Sequence, residues 1–323
     1  GGKTHTLLSV YHLIKHKNKK VNIANSKSCH EIAAILEKAN YQVKKIKTSE
    51  QKSNPPTPFI TSTLQQEASR KHGFTVKKTM SLAQRLYEGI DLAGEGSVGL
   101  ITYMRTDSIR VSSEAQNNAR HYIEQTYGKK FRPEKPPQFK AKKGAQDAHE
   151  AIRPTILTRT PESLKGAMEN DLWKLYKLIW SRFVASQMSA AISDVLTVDI
   201  LTNEEYLLQC STSKIAFLGY QILYVESTDE EKEKEEPPLP PLKEDEMLNK
   251  DKVLSTQHFT KPPPLYTEAT LVKALEEKGI GRPSTYAPTI STIQDRGYVE
   301  KQSKNLVPTS LGKQVNQLLK EFF

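Results

Sequence analysis

Tyr103 and Arg105 stand two residues apart in a stretch that begins Leu100-Ile101-Thr102 and ends Thr106-Asp107-Ser108. A phenol can act as a nucleophile. A guanidinium that keeps its charge can grip the non-bridging oxygens of a phosphate and favour the phenolate. The β-branched, apolar start and the Thr-Asp-Ser end predict a short strand breaking into a turn. In extended backbone, side chains two apart share a face, so Tyr103 and Arg105 point one way while Thr102 and Met104 point the other. The same residues also read as a strand tyrosine beside a surface arginine, and the stretch alone leaves both readings open.

The elements that must hold this stretch follow from pattern. Short strands are expected over 6–10 and 21–24, a helix over 30–39 and a strand over 41–46, before Pro55, Pro56 and Pro58 interrupt. The pattern turns helical from Thr61. Thr75 caps a helix that puts Val76, Met80, Ala83 and Tyr87 on one apolar face. Gln84 and Glu88, four apart, project together from it, as they would on a solvated face. A Gly-containing loop over 89–96 leads to Tyr103.

Beyond Ser108, a helix starts near Ser112 or Ser113 with Ala115, Ala119, Tyr122 and Ile123 inward and Gly128 as its stop. Residues 129–143 are Pro-rich and basic and read as a loop. Thr160-Pro161 opens another helix by cap and first-turn proline. Leu172, Leu175, Tyr176, Ile179 and Phe183, widened by Trp180, then form a helical stripe whose aromatics read as core. Period-two alternation over 195–201, 206–210 and 215–225 predicts antiparallel strands. Residues 226–252 carry acids, Lys and Pro without periodicity and read as a solvated linker.

The last part has three helices and a hairpin. Thr267 caps the first helix and Ser284 the second, which carries Ile290 and Ile293 and stops at Gly297. Short strands at 298–299 and 306–307 precede a helix from Ser310. Arg282 lies in a Gly-containing turn at a helix start, where backbone amides and a guanidinium could meet a phosphate.

Composition narrows the classes. With 323 residues, 37% of them hydrophobic, the chain can bury a core and form two or three domains. A formal net charge of +10 suits a polyanionic partner. Two cysteines, Cys29 and Cys210, cannot build a disulfide framework or a Cys-rich zinc site. No apolar run approaches a membrane span and no secretory signal is present. Gly1-Gly2-Lys3-Thr4 lacks the upstream glycine of a phosphate-binding loop. The start without Met and the end at Phe322-Phe323 read as a piece of a longer cytoplasmic protein.

Four ordered blocks carry a family resemblance: residues 61–68 (Thr-Ser-Thr-Leu-Gln-Gln-Glu-Ala), 103–108 (Tyr-Met-Arg-Thr-Asp-Ser), 148–154 (Ala-His-Glu-Ala-Ile-Arg-Pro) and 279–286 (Gly-Ile-Gly-Arg-Pro-Ser-Thr-Tyr). Together they resemble the type IA DNA topoisomerases, and Met104 favours the topoisomerase I branch, since the topoisomerase III branch usually carries Pro there. The resemblance implies an α+β gate: a discontinuous β-rich arch over 1–57 and 189–256, an inserted helical domain over 58–188 carrying the tyrosine, and a winged-helix-like unit over 257–323. It implies catalysis by Tyr103, Arg105 and His149, support from Gln84, Glu88, Thr102 and Asp107, and strand binding by Arg153, Arg282, Ser284 and Thr285. The implied activity is ATP-independent relaxation of negatively supercoiled DNA. It proceeds through single-strand cleavage, a 5′-phosphotyrosine, strand passage and religation, by a monomer in the bacterial cytoplasm at the nucleoid. Magnesium is implied too, but its Toprim domain and the zinc ribbons are missing here, with no Asp-x-Asp-x-Glu cluster and no metal ligands in this chain. The rival readings are a non-catalytic single-strand-binding module and a tyrosine recombinase. The recombinase would want several Arg and His upstream of a tyrosine near the C-terminus, whereas Tyr103 lies early.

Overall fold

The computed structural model describes residues 12–17, 19–21, 23, 25–92, 94–139, 149–227, 239–260 and 262–322. Its first elements are β1 (His12–His16), β2 (Lys19–Lys20), α1 (Ser26–Lys38) and β3 (Tyr41–Ser53). Next come α2 (Thr61–His72), α3 (Val76–Glu88), β4 (Ile90–Leu92), β5 (Gly96–Val98), α4 (Ser113–Tyr127) and α5 (Asn170–Ser186). The chain continues with β6 (Ala191–Thr202), β7 (Tyr206–Phe217) and β8 (Met247–Leu248). It ends in α6 (Glu268–Glu277), α7 (Tyr286–Asp295), β9 (Val299–Gln302), β10 (Asn305–Pro308) and α8 (Ser310–Phe322). Two compact units result, one of 1–53, 191–218 and 232–262, the other of 54–190, 219–231 and 263–323.

The first unit is an antiparallel sheet in the order β2-β1-β7-β6-β3-β8. Val43, Val198, Ile200, Tyr206, Leu208 and Cys210 bury one end of it, with Leu36 of α1 among them. Asn25 starts α1 by accepting from Ser28 N at 2.9 Å, so the helix begins at Ser26 and not near 30. β3 runs on to Ser53, past the expected end at 46: residues 47–53 are exposed and polar, but β6 pairs them in register from Lys47↔Thr197 to Ser53↔Ala191. Backbone pairing, not apolar alternation, sustains that half.

Several expectations are corrected here. The strand expected over 6–10 lies outside the described residues. No strand forms at Val21 or Ile23; the pairing partner of β1 is Lys19–Lys20 instead. β7 is one strand, Tyr206–Phe217, after which Gly219–Ile222 makes a 3-10 turn, so no strand spans 215–225. The acidic run 229–236 lies outside the described residues. The remainder of the expected linker is not merely solvated, since Leu239, Leu242 and Leu248 pack on the sheet core and β8 covers the edge of β3.

The second unit is mostly helical, and its largest fully buried side chains include Phe59, Leu64, Leu86, Ile152, Tyr176 and Phe183. Thr75 caps α3 as expected, and Ser112 caps α4, which starts where expected; each accepts from the amide three residues on. The stripe of α5 is buried throughout. Residues 89–96 are not a plain loop, because β4 and β5 pair as a small hairpin. Residues 129–131 form a 3-10 turn, and 140–148 lie outside the described residues. The helix expected at Thr160 does not form. Thr160 Oγ1 does accept from Ser163 N at 3.2 Å, but turns and bends fill 161–168 and Gly166 has φ +86°. A capped first turn fixes several dihedrals for one hydrogen bond, and nothing here repays that cost.

The terminal helices pack inside this unit. Val76 of α3 contacts Val272, Tyr286 and Ile290, and Glu268 of α6 accepts from Val76 N at 2.8 Å. Thr285, not Ser284, occupies the cap position of α7.

A buried charged cluster ties down the second unit. Glu67 accepts from the Tyr224 hydroxyl at 2.6 Å and from Ser227 N at 3.2 Å. Arg182 donates to Thr57 O at 2.6 Å and to Glu226 at 2.9 Å, with its guanidinium 4.8 Å from the Phe59 ring. Burial pushes the Tyr224 phenol far up, opposed in part by Arg182.

Candidate active site

Leu100 and Ile101 are both buried, and from 103 to 108 burial alternates: Met104, Thr106 and Ser108 are buried, while Tyr103 and Asp107 are half-buried and Arg105 is exposed. No strand forms, and the chain bends at Thr102, Met104 and Arg105, so the expected extended backbone is not present there. Only Ile101 makes an isolated bridge, to Pro154. The polar groups of the stretch go elsewhere. Leu100 N donates to Leu86 O at 2.7 Å, Thr102 N to Arg153 O at 2.9 Å, and Thr155 N to Leu100 O at 3.0 Å.

Two hydroxyls, of the half-buried Thr102 and the fully buried Thr61, complete the hold. Thr102 Oγ1 donates to Ala151 O at 2.7 Å and accepts from Arg153 N at 3.0 Å, which joins the tyrosine segment to 151–155. Thr61, fully buried at the start of α2, accepts from Thr106 N at 2.9 Å. Its hydroxyl proton lies between Met104 O at 2.7 Å and Thr106 O at 3.0 Å. The backbone on both sides of Arg105 is thus fixed from below, and side chains on the outer face are free to act.

On that face, the Tyr103 ring contacts His149, 4.9 Å between centroids, and Tyr87, 5.5 Å between centroids. No described residue hydrogen-bonds the Tyr103 hydroxyl, and none pairs with the Arg105 guanidinium. Among the described residues the phenol oxygen and the exposed guanidinium both lack a partner, and groups of these two types can attack and grip a phosphate. Gln84 and Glu88 hydrogen-bond to each other on the last turns of α3. Arg153 is held by Glu150 at 2.8 Å and by Pro154 O at 3.1 Å, which leaves it less free than Arg105.

Arg282, Ser284 and Thr285 sit together in the α6–α7 turn. Thr285 Oγ1 accepts from Arg282 N at 2.8 Å and donates to Arg282 O at 3.1 Å, while Arg282 Nη1 donates to Gly281 O at 2.9 Å. Gly281 has φ +82°, and a Cβ there would stand 2.9 Å from Thr285 Oγ1, so the turn needs glycine. Ser62, next to Thr61, donates to Glu276 at 2.6 Å just before this turn. Burial raises the Tyr286 phenol; Glu276 adds to the rise, Arg282 opposes it, and Asp107 adds to it again. Asp107 is thereby near the Arg282 turn electrostatically, and the N-terminus of α2 touches both parts of the site.

Two residues escaped the sequence reading. Tyr87 was expected in the core but is 41% exposed and faces Tyr103. Thr61 lay in a quoted block, yet nothing local in the sequence indicates that its hydroxyl reaches residues 104–106. Among the described residues, no group of three or more His, Cys, Asp and Glu side chains could hold a metal.

Three comparisons bear on the geometry. The family model described as DNA topoisomerase matches residues 3–323. DNA topoisomerase 1 of Rickettsia felis is 49% identical over 314 residues, covering 97% of this chain and 40% of that protein. The Rickettsia prowazekii protein of the same name is 48% identical over the same length and coverage. Among solved structures, full-length topoisomerase I from Thermotoga maritima matches with a TM-score of 0.77 and 39% identity, covering 95% of this chain and 48% of that one. The chain spans about two fifths of the length of the curated relatives it matches.

Proposed function

The chain belongs to the DNA topoisomerase family, and from that premise we propose that it carries the strand-cleaving tyrosine of a type IA enzyme that relaxes negatively supercoiled DNA. The observation that carries the reading is the Tyr103 ring packed against His149 and Tyr87, with no described partner at its hydroxyl and an exposed Arg105 two residues on. Tyr103 attacks a phosphodiester in a single-stranded segment, forming a bond from its oxygen to the 5′ phosphate. The bond to the 3′ oxygen breaks, and that oxygen leaves as a hydroxyl carrying the proton the phenol gave up. One phosphodiester replaces another, so resealing by the 3′ hydroxyl needs no ATP.

Arg105 neutralises charge growing on the non-bridging oxygens during attack. His149, against the Tyr103 ring, orients the phenol or contacts the phosphate. Thr102 fixes the backbone beneath, Gln84, Glu88 and Asp107 support the site, and Arg153, Arg282, Ser284 and Thr285 hold the strand. The resemblance puts the family's magnesium ligands in a Toprim domain; among the described residues no group of side chains could hold a metal, and no step here runs through it. The reading extends to a monomer acting at the nucleoid in the bacterial cytoplasm. No described helix is long and apolar enough to cross a membrane.

The test places the chain in a polypeptide of its relatives' full length, with magnesium and a 3′-labelled single strand. Label should become covalently attached to protein, and Tyr103→Phe should abolish the adduct while strand binding persists. An adduct that survives in Tyr103→Phe overturns the assignment.

A further inference from the structure

Tyr87 lies in the last turn of α3 at helical spacing from Val76, Met80 and Ala83, yet its side chain is not in the core. Its ring meets the Tyr103 ring edge-on, 5.5 Å between centroids and 70° between planes. The backbone fixes this meeting from beneath. Leu100 N bonds Leu86 O at 2.7 Å, and at Gly99 a Cβ would stand 2.8 Å from Tyr87 O. The segment bearing Tyr103 therefore starts directly against the turn bearing Tyr87.

We infer that Tyr87 is a positioning residue for the Tyr103 phenol, a role that rests on the function proposed above. Tyr103 has no described hydrogen-bond partner at its hydroxyl, so among the described residues it is ring packing that sets where its oxygen points. His149 supplies one wall, 4.9 Å away with the planes at 46°, and Tyr87 supplies another. Offset and edge-to-face pairs have a preferred geometry that aliphatic contacts lack. Attack requires the phenol oxygen within about 3–3.5 Å of phosphorus and in line, and misplacement by about 1 Å can cost about a hundredfold. The contact uses the ring and not the Tyr87 hydroxyl, which has no described partner.

The experiment has two arms on Tyr87→Leu and Tyr87→Phe. In the first, the protein carries 3-fluorotyrosine, and the Tyr103 signal is assigned by its loss in Tyr103→Phe. Tyr87→Leu should shift or broaden that signal, whereas Tyr87→Phe should leave it near its original position. The second arm measures single-turnover cleavage in the full-length protein. Tyr87→Leu should slow cleavage by about ten- to a hundredfold with the strand dissociation constant within about twofold of the original. Tyr87→Phe should restore the rate. An unmoved fluorine signal in Tyr87→Leu overturns the inference, as does an unchanged cleavage rate. A loss confined to strand affinity also overturns it, since Tyr87 would then be a stacking platform. If the unsubstituted protein forms no adduct but the fluorine signal still moves, the positioning contact stands and the proposed function falls.

Discussion

Thr61 and Thr106 are joined twice: Thr61 N donates to Thr106 O at 2.9 Å, and Thr106 N donates to Thr61 Oγ1 at 2.9 Å. One helix start therefore holds both backbone groups of the residue that follows Arg105. Thr61→Val keeps the shape but strands Thr106 N in a buried site, which should cost about 1–3 kcal/mol. Thr61→Ser should lose less, because the hydroxyl remains. Denaturant unfolding of the two variants checks this; equal stabilities would show that the hydroxyl bonds contribute nothing.

Arg105→Lys keeps a positive charge and loses the planar fork. Cleavage should fall by at least tenfold, about 1.4 kcal/mol of transition-state stabilisation, while strand affinity changes little. Relaxation at the original rate would make Arg105 a bystander on the surface.

Arg282 should act on binding, not on chemistry. Each phosphate neutralised on a single strand contributes about −0.7 to the slope of log affinity against log salt. Arg282→Ala should flatten that slope by about one contact, with circular dichroism unchanged because the side chain is exposed. An identical slope would remove Arg282 from the strand path.

The Tyr224 hydroxyl donates to the buried Glu67 carboxylate at 2.6 Å. Tyr224→Phe removes a hydrogen bond to a charged group and should cost about 1.5–3 kcal/mol. Unfolding free energies within experimental error of each other would mean that the remaining partners of Glu67 suffice.

His72 supplies a pH dependence. Burial first, then Lys174 and Lys71, hold its imidazole below the ordinary value of 6.5, with Asp171 and Glu67 opposing. Between the depressed folded value and 6.5, the unfolded chain binds the proton and the folded one does not. The contribution is therefore fully present above 6.5 and is lost as pH falls through the folded value. His72→Gln should lose less stability than the parent between pH 8 and 5. The same loss in both proteins would assign the effect to other groups.

The cap at Thr75 and the start of α4 near Ser112 were legible from side-chain type and spacing, whereas Tyr103 and Arg105 were singled out by the four ordered blocks and not by their own stretch. Met104 is buried and Arg105 exposed, but the chain bends at both, so the alternation of an extended strand does not account for it. What failed depends on distant partners. Residues 47–53 carry no strand pattern and are sustained by β6. Leu239 and Leu242 look isolated within an acidic stretch until the sheet core receives them. Tyr87 obeys helical spacing, but its ring packs against Tyr103 and stays partly exposed, although Leu86 beside it is fully buried. Thr160 shows the converse, a correct cap without a helix to follow it.

The cluster around Arg182 and Glu67 also has a mechanical meaning. Thr57, shortly after β3 ends at Ser53, is bonded by Arg182, and Ser227 is bonded by Glu67. Tension on the chain at either place would load side chains anchored on α5 and α2, several bonds in parallel, rather than peel one bond at a time. A pull on α2 would also reach the tyrosine segment, because Thr61 at the start of the same helix holds Thr106.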